Sequence, residues 1–242
     1  MTERFADDAV LAYWNGEGEE TAPRTIARGA DAIRRALAAE PRTREVMLEL
    51  RDGADAFVEG RLRAPGAEVT ASFAASLQLD DDGAIGRCLC FHGPAVDPPP
   101  EVTEGPPPGT ALATLERYFE RLIAGDFAAA TACFTTDCLY SHPPYAPGTP
   151  RVEFRGRDGL LRGFEQRGMR PVRPAITRCV QDGAVCFIEG VVDGDAPGGS
   201  FVSSVTLDRE GLVRRYVAFY TASRIARIAS EKVDDSGVPN RA

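Results

Sequence analysis

Basic charge, histidine and long apolar runs are all scarce in this 242-residue chain, and each shortage removes a class of function. Lys232 is the only lysine, and 36 acidic residues against 28 basic ones leave a net charge of -8. No basic footprint is available to hold phosphate backbones or an anionic membrane face, so neither nucleic acid nor membrane is expected as a partner. His92 and His142 are the only histidines, and no CxxC, HxH or HExxH spacing occurs, so a metal site is not expected. The phosphate-cradling and nucleophile-elbow patterns GxxxxGK[ST], GxGxxG and GxSxG are missing too, which leaves no signal for a cofactor. No stretch approaches the ~20 apolar residues of a membrane span. The opening MTERFADDAV has neither the basic region nor the apolar core of an export signal, which predicts a cytoplasmic protein. Six cysteines in that setting read as reduced thiols rather than a disulfide framework.

What the chain does contain is itself, twice. Phe5-Ala-Asp-Asp8 answers Phe134-Thr-Thr-Asp137, and Arg28-Gly-Ala-Asp31 answers Arg155-Gly-Arg-Asp158. Asp52-Gly-Ala-x-x-Phe57-Val-Glu59-Gly60 answers Asp182-Gly-Ala-x-x-Phe187-Ile-Glu189-Gly190. Phe73 to Asp80 then answers Phe201 to Asp208, and Cys88 to His92 answers Tyr216 to Tyr220. An offset that stays between 127 and 130 residues through five blocks indicates duplication.

Proline triplets at 98–100 and 106–108 mark a linker over 95–109, because they block helix continuation and favour extended backbone. This divides the chain into a truncated copy (1–94), a complete copy (110–222) and a tail (223–242). In the second copy, Leu112, Leu115, Phe119 and Leu122 predict a helix from Thr110 that Gly125 stops, and Asp126 caps another through Ala132. A helix over 157–167 precedes strands near 171–180, 184–192, 200–207 and 213–221. The fold class expected is α+β: each copy a curved antiparallel sheet wrapped on helices as a cone-shaped barrel, with the open sheet faces packed as a pseudo-dimer. The first copy lacks the front helices, which predicts a non-catalytic sheet partner whose cone is either open to water or closed by another segment such as Ser223 to Ser230. Whole chains remain free to form a homodimer.

The order helix, Gly-Asp, helix, Phe-x-x-Asp, short strand, Gly-x-Asp helix and paired strands resembles the nuclear transport factor 2-like superfamily, in particular its SnoaL-like branch. The resemblance spans 110–221, with 5–92 as a shortened copy. It implies an apolar pocket of the kind that ketosteroid isomerase and scytalone dehydratase use for acid-base chemistry without a cofactor. Ketosteroid isomerase pairs a carboxylate base with a tyrosine and a protonated aspartate that stabilise an enolate, a case worked through in general treatments of pKa tuning. Carried over position by position, its tyrosine falls on Tyr118, its base on His142 and its aspartate on Ser203. An imidazole titrating near 6.5 serves as a base at neutral pH without the burial that a carboxylate needs.

By this resemblance His142 and Tyr118 are the catalytic candidates. Phe134, Tyr140, Tyr145, Phe164, Phe187, Glu189, Phe201, Ser203, Tyr216 and Tyr220 are the candidates for enclosing a small hydrophobic molecule. Glu189 recurs as Glu59, which equally suits a role at the sheet interface, and Tyr118 between Leu115 and Leu122 equally suits a packed core. Two functions follow: an isomerase, cyclase or lyase acting on a small carbonyl compound such as a polyketide, or a non-catalytic ligand-binding or scaffolding protein. The Pro143 to Pro150 loop is expected to cover the pocket mouth.

Overall fold

The computed structural model describes residues 4–14, 25–66, 69–100, 104–143, 151–169, 172–194 and 199–221. The first half contains β1 (Phe5–Trp14), β2 (Thr25–Arg28), α1 (Ala30–Ala38), β3 (Thr43–Asp52), β4 (Asp55–Arg63), β5 (Val69–Leu79) and β6 (Ile85–Pro94). The second contains α2 (Thr110–Ile123), α3 (Phe127–Thr131), β7 (Phe134–His142), β8 (Val152–Arg155), α4 (Arg157–Arg167), β9 (Val172–Asp182), β10 (Val185–Gly194), β11 (Gly199–Leu207) and β12 (Val213–Thr221). The strand orders β2-β1-β6-β5-β4-β3 and β8-β7-β12-β11-β10-β9 are the same order written twice. Local chemistry repeats with them. Gly53 and Gly183 take the left-handed φ of 57° and 54° that turns β3 into β4 and β9 into β10. In the second half the Asp126 side chain accepts from the Ala129 amide and starts α3.

The expected barrels do not form. In each sheet the outermost strands, β2 and β3 or β8 and β9, remain unpaired with one another. In the second half α2 lies on β9 and α4 on β7 and β8, so helices fill the gap that closure would require. Nor is either sheet wholly antiparallel: β1 runs parallel to β6, and β7 to β12, because a helix-bearing or multi-strand crossover separates those strands in sequence.

The two sheets meet face to face, and their contacts obey the duplication. Phe57 stacks on Phe187 at a centroid distance of 5.6 Å and an interplanar angle of 15°. Since these residues occupy equivalent positions, the stack lies where a two-fold axis would pass. Around it pack Leu89, Phe91, Val202, Val217 and Phe219, all fully buried. Glu59 of the first half accepts from Arg215 of the second through both carboxylate oxygens, at 2.6 and 3.0 Å. Reciprocally, Glu189 of the second half accepts from Arg87 of the first at 2.5 and 2.9 Å. Ser76 and Arg178 complete the Glu189 site. Burial alone would raise the Glu189 pKa, but Arg87, Ser76 and Arg178 outweigh it and hold the carboxyl below its ordinary value.

Candidate functional site

The concave face of the second sheet and the helices over it enclose about 160 Å³. Tyr118 and Phe119 of α2, Tyr140 and His142 of β7, Phe201 of β11, and Tyr216, Ala218 and Tyr220 of β12 line this space. Six of the sequence candidates therefore meet in one cavity. Phe134 and Phe164 stand behind them, with ring centroids 5.1 and 6.4 Å from that of Tyr118. Ser203 is buried and donates to the Tyr216 hydroxyl at 3.1 Å. Tyr145 and positions 144–150 of the proline loop lie outside the described residues, as does the segment Ser223 to Ser230.

Phe187 and Glu189 need correction. Both leave β10 on the face turned to the first sheet, where Phe187 stacks on Phe57 and Glu189 meets Arg87. Alternation along the strand sends Cys186 and Ile188 to the cavity side instead. Both faces of β10 are covered, so the alternation of its apolar residues carries no mark of which face is which.

The polar geometry separates a base from donors. His142 Nδ1 lies 2.7 Å from the Pro143 carbonyl oxygen, which can only accept, so the ring proton resides on Nδ1. Nε2 is then the basic nitrogen of the neutral ring. The imidazole lies parallel to Tyr140, 6° between planes and 6.4 Å between centroids. Tyr140 in turn stacks on Tyr216 at 5.3 Å. Tyr118 is hydrogen-bonded to Tyr140; burial, reinforced by Tyr140 and Tyr216, raises its pKa well above the usual phenol range. The hydroxyl therefore keeps its proton at any physiological pH and serves only as a hydrogen-bonding group.

Arg167, which the sequence reading missed, is the one charged side chain of the cavity wall among the described residues. Its guanidinium sits 5.0 Å above the Phe164 ring at the end of α4. The available signal was its place in the last helical turn just before Gly168, whose φ of 69° ends the helix over the cavity. A second unforeseen requirement is Gly190. A Cβ there would overlap the Phe201 ring and the Ala175 carbonyl. Gly190→Ala is expected to push Phe201 into the cavity and weaken occupancy by a small aromatic probe at least about tenfold, with about 1–3 kcal/mol lost in thermal unfolding. Unchanged binding would show that Phe201 yields elsewhere.

Among the described residues no group of three or more His, Cys, Asp or Glu side chains is arranged to hold a metal ion. Nor is any of their helices long and apolar enough to cross a membrane.

Residues 115–230 match the family model described as the SnoaL-like domain. Among solved structures, a provisionally assigned ketosteroid isomerase from Kribbella flavida is similar at 19% identity, over 55% of this chain and 90% of that one, with a TM-score of 0.40. A provisionally assigned polyketide cyclase from Sinorhizobium meliloti is similar at 16% identity, over 44% and 93%, with a TM-score of 0.36. A cystatin-like-fold protein of unknown function from Methylobium petroleophilum is similar at 20% identity, over 48% and 78%, with a TM-score of 0.41. No curated protein matches.

Proposed function

We propose that the second half is a cofactor-independent acid-base enzyme, an isomerase, cyclase or lyase, acting on a small, largely apolar carbonyl compound. The observation that supports this reading is the Pro143 carbonyl held against His142 Nδ1, which makes Nε2 the acceptor nitrogen of a neutral ring that lines an aromatic cavity. His142 Nε2 removes a proton from the carbon next to the substrate carbonyl. The negative charge that builds on the carbonyl oxygen is met by tyrosine hydroxyls and by Arg167. The imidazolium then returns the proton to another atom of the substrate, which yields isomerisation, or to a leaving hydroxyl, which yields elimination. A space of about 160 Å³ resembles the roughly 150 Å³ that accommodates one benzene ring, which suits a single-ring portion of the substrate.

The second reading is a binding protein without turnover. What favours it is Tyr118, whose hydroxyl is already engaged by Tyr140. Deuterium uptake into cyclohexanone in heavy water, followed by proton NMR with the full chain, separates the two. The enzyme reading expects exchange clearly faster than in buffer at the same pH. Saturable binding without exchange supports the binder and overturns the enzyme.

A further inference from the structure

The first half was expected to be an inert partner, yet the positions equivalent to the cavity wall of the second half carry a connected polar chain. At the offset of the duplication, Tyr13 stands for His142, His92 for Tyr220, Glu40 for Arg167, Arg42 for Met169 and Phe73 for Phe201. The histidine and tyrosine of the parallel strand pair have thus exchanged places. In the second half His142 and Tyr220 are 6.2 Å apart between centroids; in the first, Tyr13 and His92 close to 4.5 Å, edge to face.

The direction of each hydrogen bond follows from chemistry. Arg42 donates to both oxygens of Glu40, at 2.7 and 2.9 Å, and holds that carboxyl down to about 2. An ionised carboxylate only accepts, so Tyr13 must donate to Glu40 across their 2.9 Å separation. With its one proton committed, the Tyr13 oxygen accepts, and the donor at 2.9 Å is His92 Nδ1. Arg42 also approaches Nδ1, but at 3.5 Å, the outer limit of a hydrogen bond, and its terminal nitrogen is already engaged by Glu40. Burial first, then the charges of Arg44 and Arg42, keep the ring neutral, its pKa down to about 3.

Nε2 of His92 is left as a lone pair. The residue is 1% exposed, and that atom has no hydrogen-bond partner among the described residues. A buried acceptor without a donor carries its full desolvation cost, which a bound donor relieves. We propose that the first half holds a second ligand site centred on His92 Nε2, for a neutral aromatic or alicyclic compound that offers a hydroxyl proton. Phe73, its ring centroid 6.1 Å from that of His92, supplies an apolar neighbour. Arg42 and Arg44 disfavour cations, and a carboxylate has no proton to give.

With only two histidines in the chain, imidazole nitrogen NMR of the full-length protein resolves both, and His142→Gln assigns them. The expected free state has His92 neutral with its proton on Nδ1. Phenol should shift His92 Nε2 saturably in both wild type and His142→Gln, at an affinity at least about tenfold above that of toluene, which has the shape without the hydroxyl. Tyr13→Phe, which removes the oxygen that fixes Nδ1–H, should abolish that preference while His142 signals persist. An Nε2 signal of His92 that phenol leaves unmoved, or that phenol and toluene move at equal concentrations, overturns the site. Loss of the enzyme reading at His142 would leave these expectations intact.

Discussion

Arg215→Ala should lower the free energy of unfolding by about 3–5 kcal/mol in urea denaturation, the cost of stranding a buried carboxylate. Both side chains of the Arg215–Glu59 pair are only 2% exposed, so no water replaces the lost guanidinium. Arg215 also donates to Ser204 at 3.2 Å and to the Asp97 carbonyl at 2.9 Å, and both acceptors are orphaned with Glu59. The double variant Arg215→Met, Glu59→Leu should recover most of the loss, because removing both charges removes the penalty. Arg155→Ala provides the contrast. Its pair with Asp97 is 65% exposed on both sides, where loss of an ion pair costs about 0–1 kcal/mol. Similar losses at the two sites would mean that the sheet interface is wet and open.

His142→Gln should reduce kcat/KM by about 10²–10⁴-fold on any substrate that the second half turns over, the range for losing a general base. Glutamine keeps a polar group of similar reach but has no basic nitrogen. The loss should fall on kcat, with KM little changed, since the aromatic walls supplied by Tyr140, Phe201 and Tyr216 remain. Tyr118→Phe should be milder if the Tyr140 hydroxyl takes over the donor role. Full activity in His142→Gln would remove the imidazole from the mechanism.

The duplication, the helix over 157–167 and the hairpin turns were legible because glycine, aspartate and apolar spacing mark them locally. The closed barrel was not, because whether β8 meets β9 depends on helices that lie between them rather than on either strand's residues. Along β11, Ser203 and Ser204 are equally small and equally buried, yet one bonds Tyr216 on the cavity side and the other Arg215 on the interface side. Only the register resolves them. Glu189 illustrates the same limit: its recurrence as Glu59 marked an interface, but the partners Arg87 and Arg215 emerge only when the two sheets are placed together. Arg167 escaped because a cation at a helix C-terminus ordinarily serves the helix dipole.

The exchanged ion pairs carry a consequence for fidelity of assembly. Each half contains both members of the pattern, Glu59 with Arg87 in one and Glu189 with Arg215 in the other. Two copies of the first half, or two of the second, would satisfy the same reciprocal charges. Those two pairs therefore do not distinguish self from sister, but the Arg178–Asp55 pair across the same interface does, because Leu48 and Val185 stand at the equivalent positions. Tethering reinforces that choice: joined through the segment around Val96 and Asp97, each half meets its sister at an effective concentration on the millimolar scale, far above that of halves from other molecules. Partner selection in this protein is written in connectivity together with one asymmetric ion pair, and the same charges that hold the correct pairing would accept an exchange of halves between chains crowded together before they have folded.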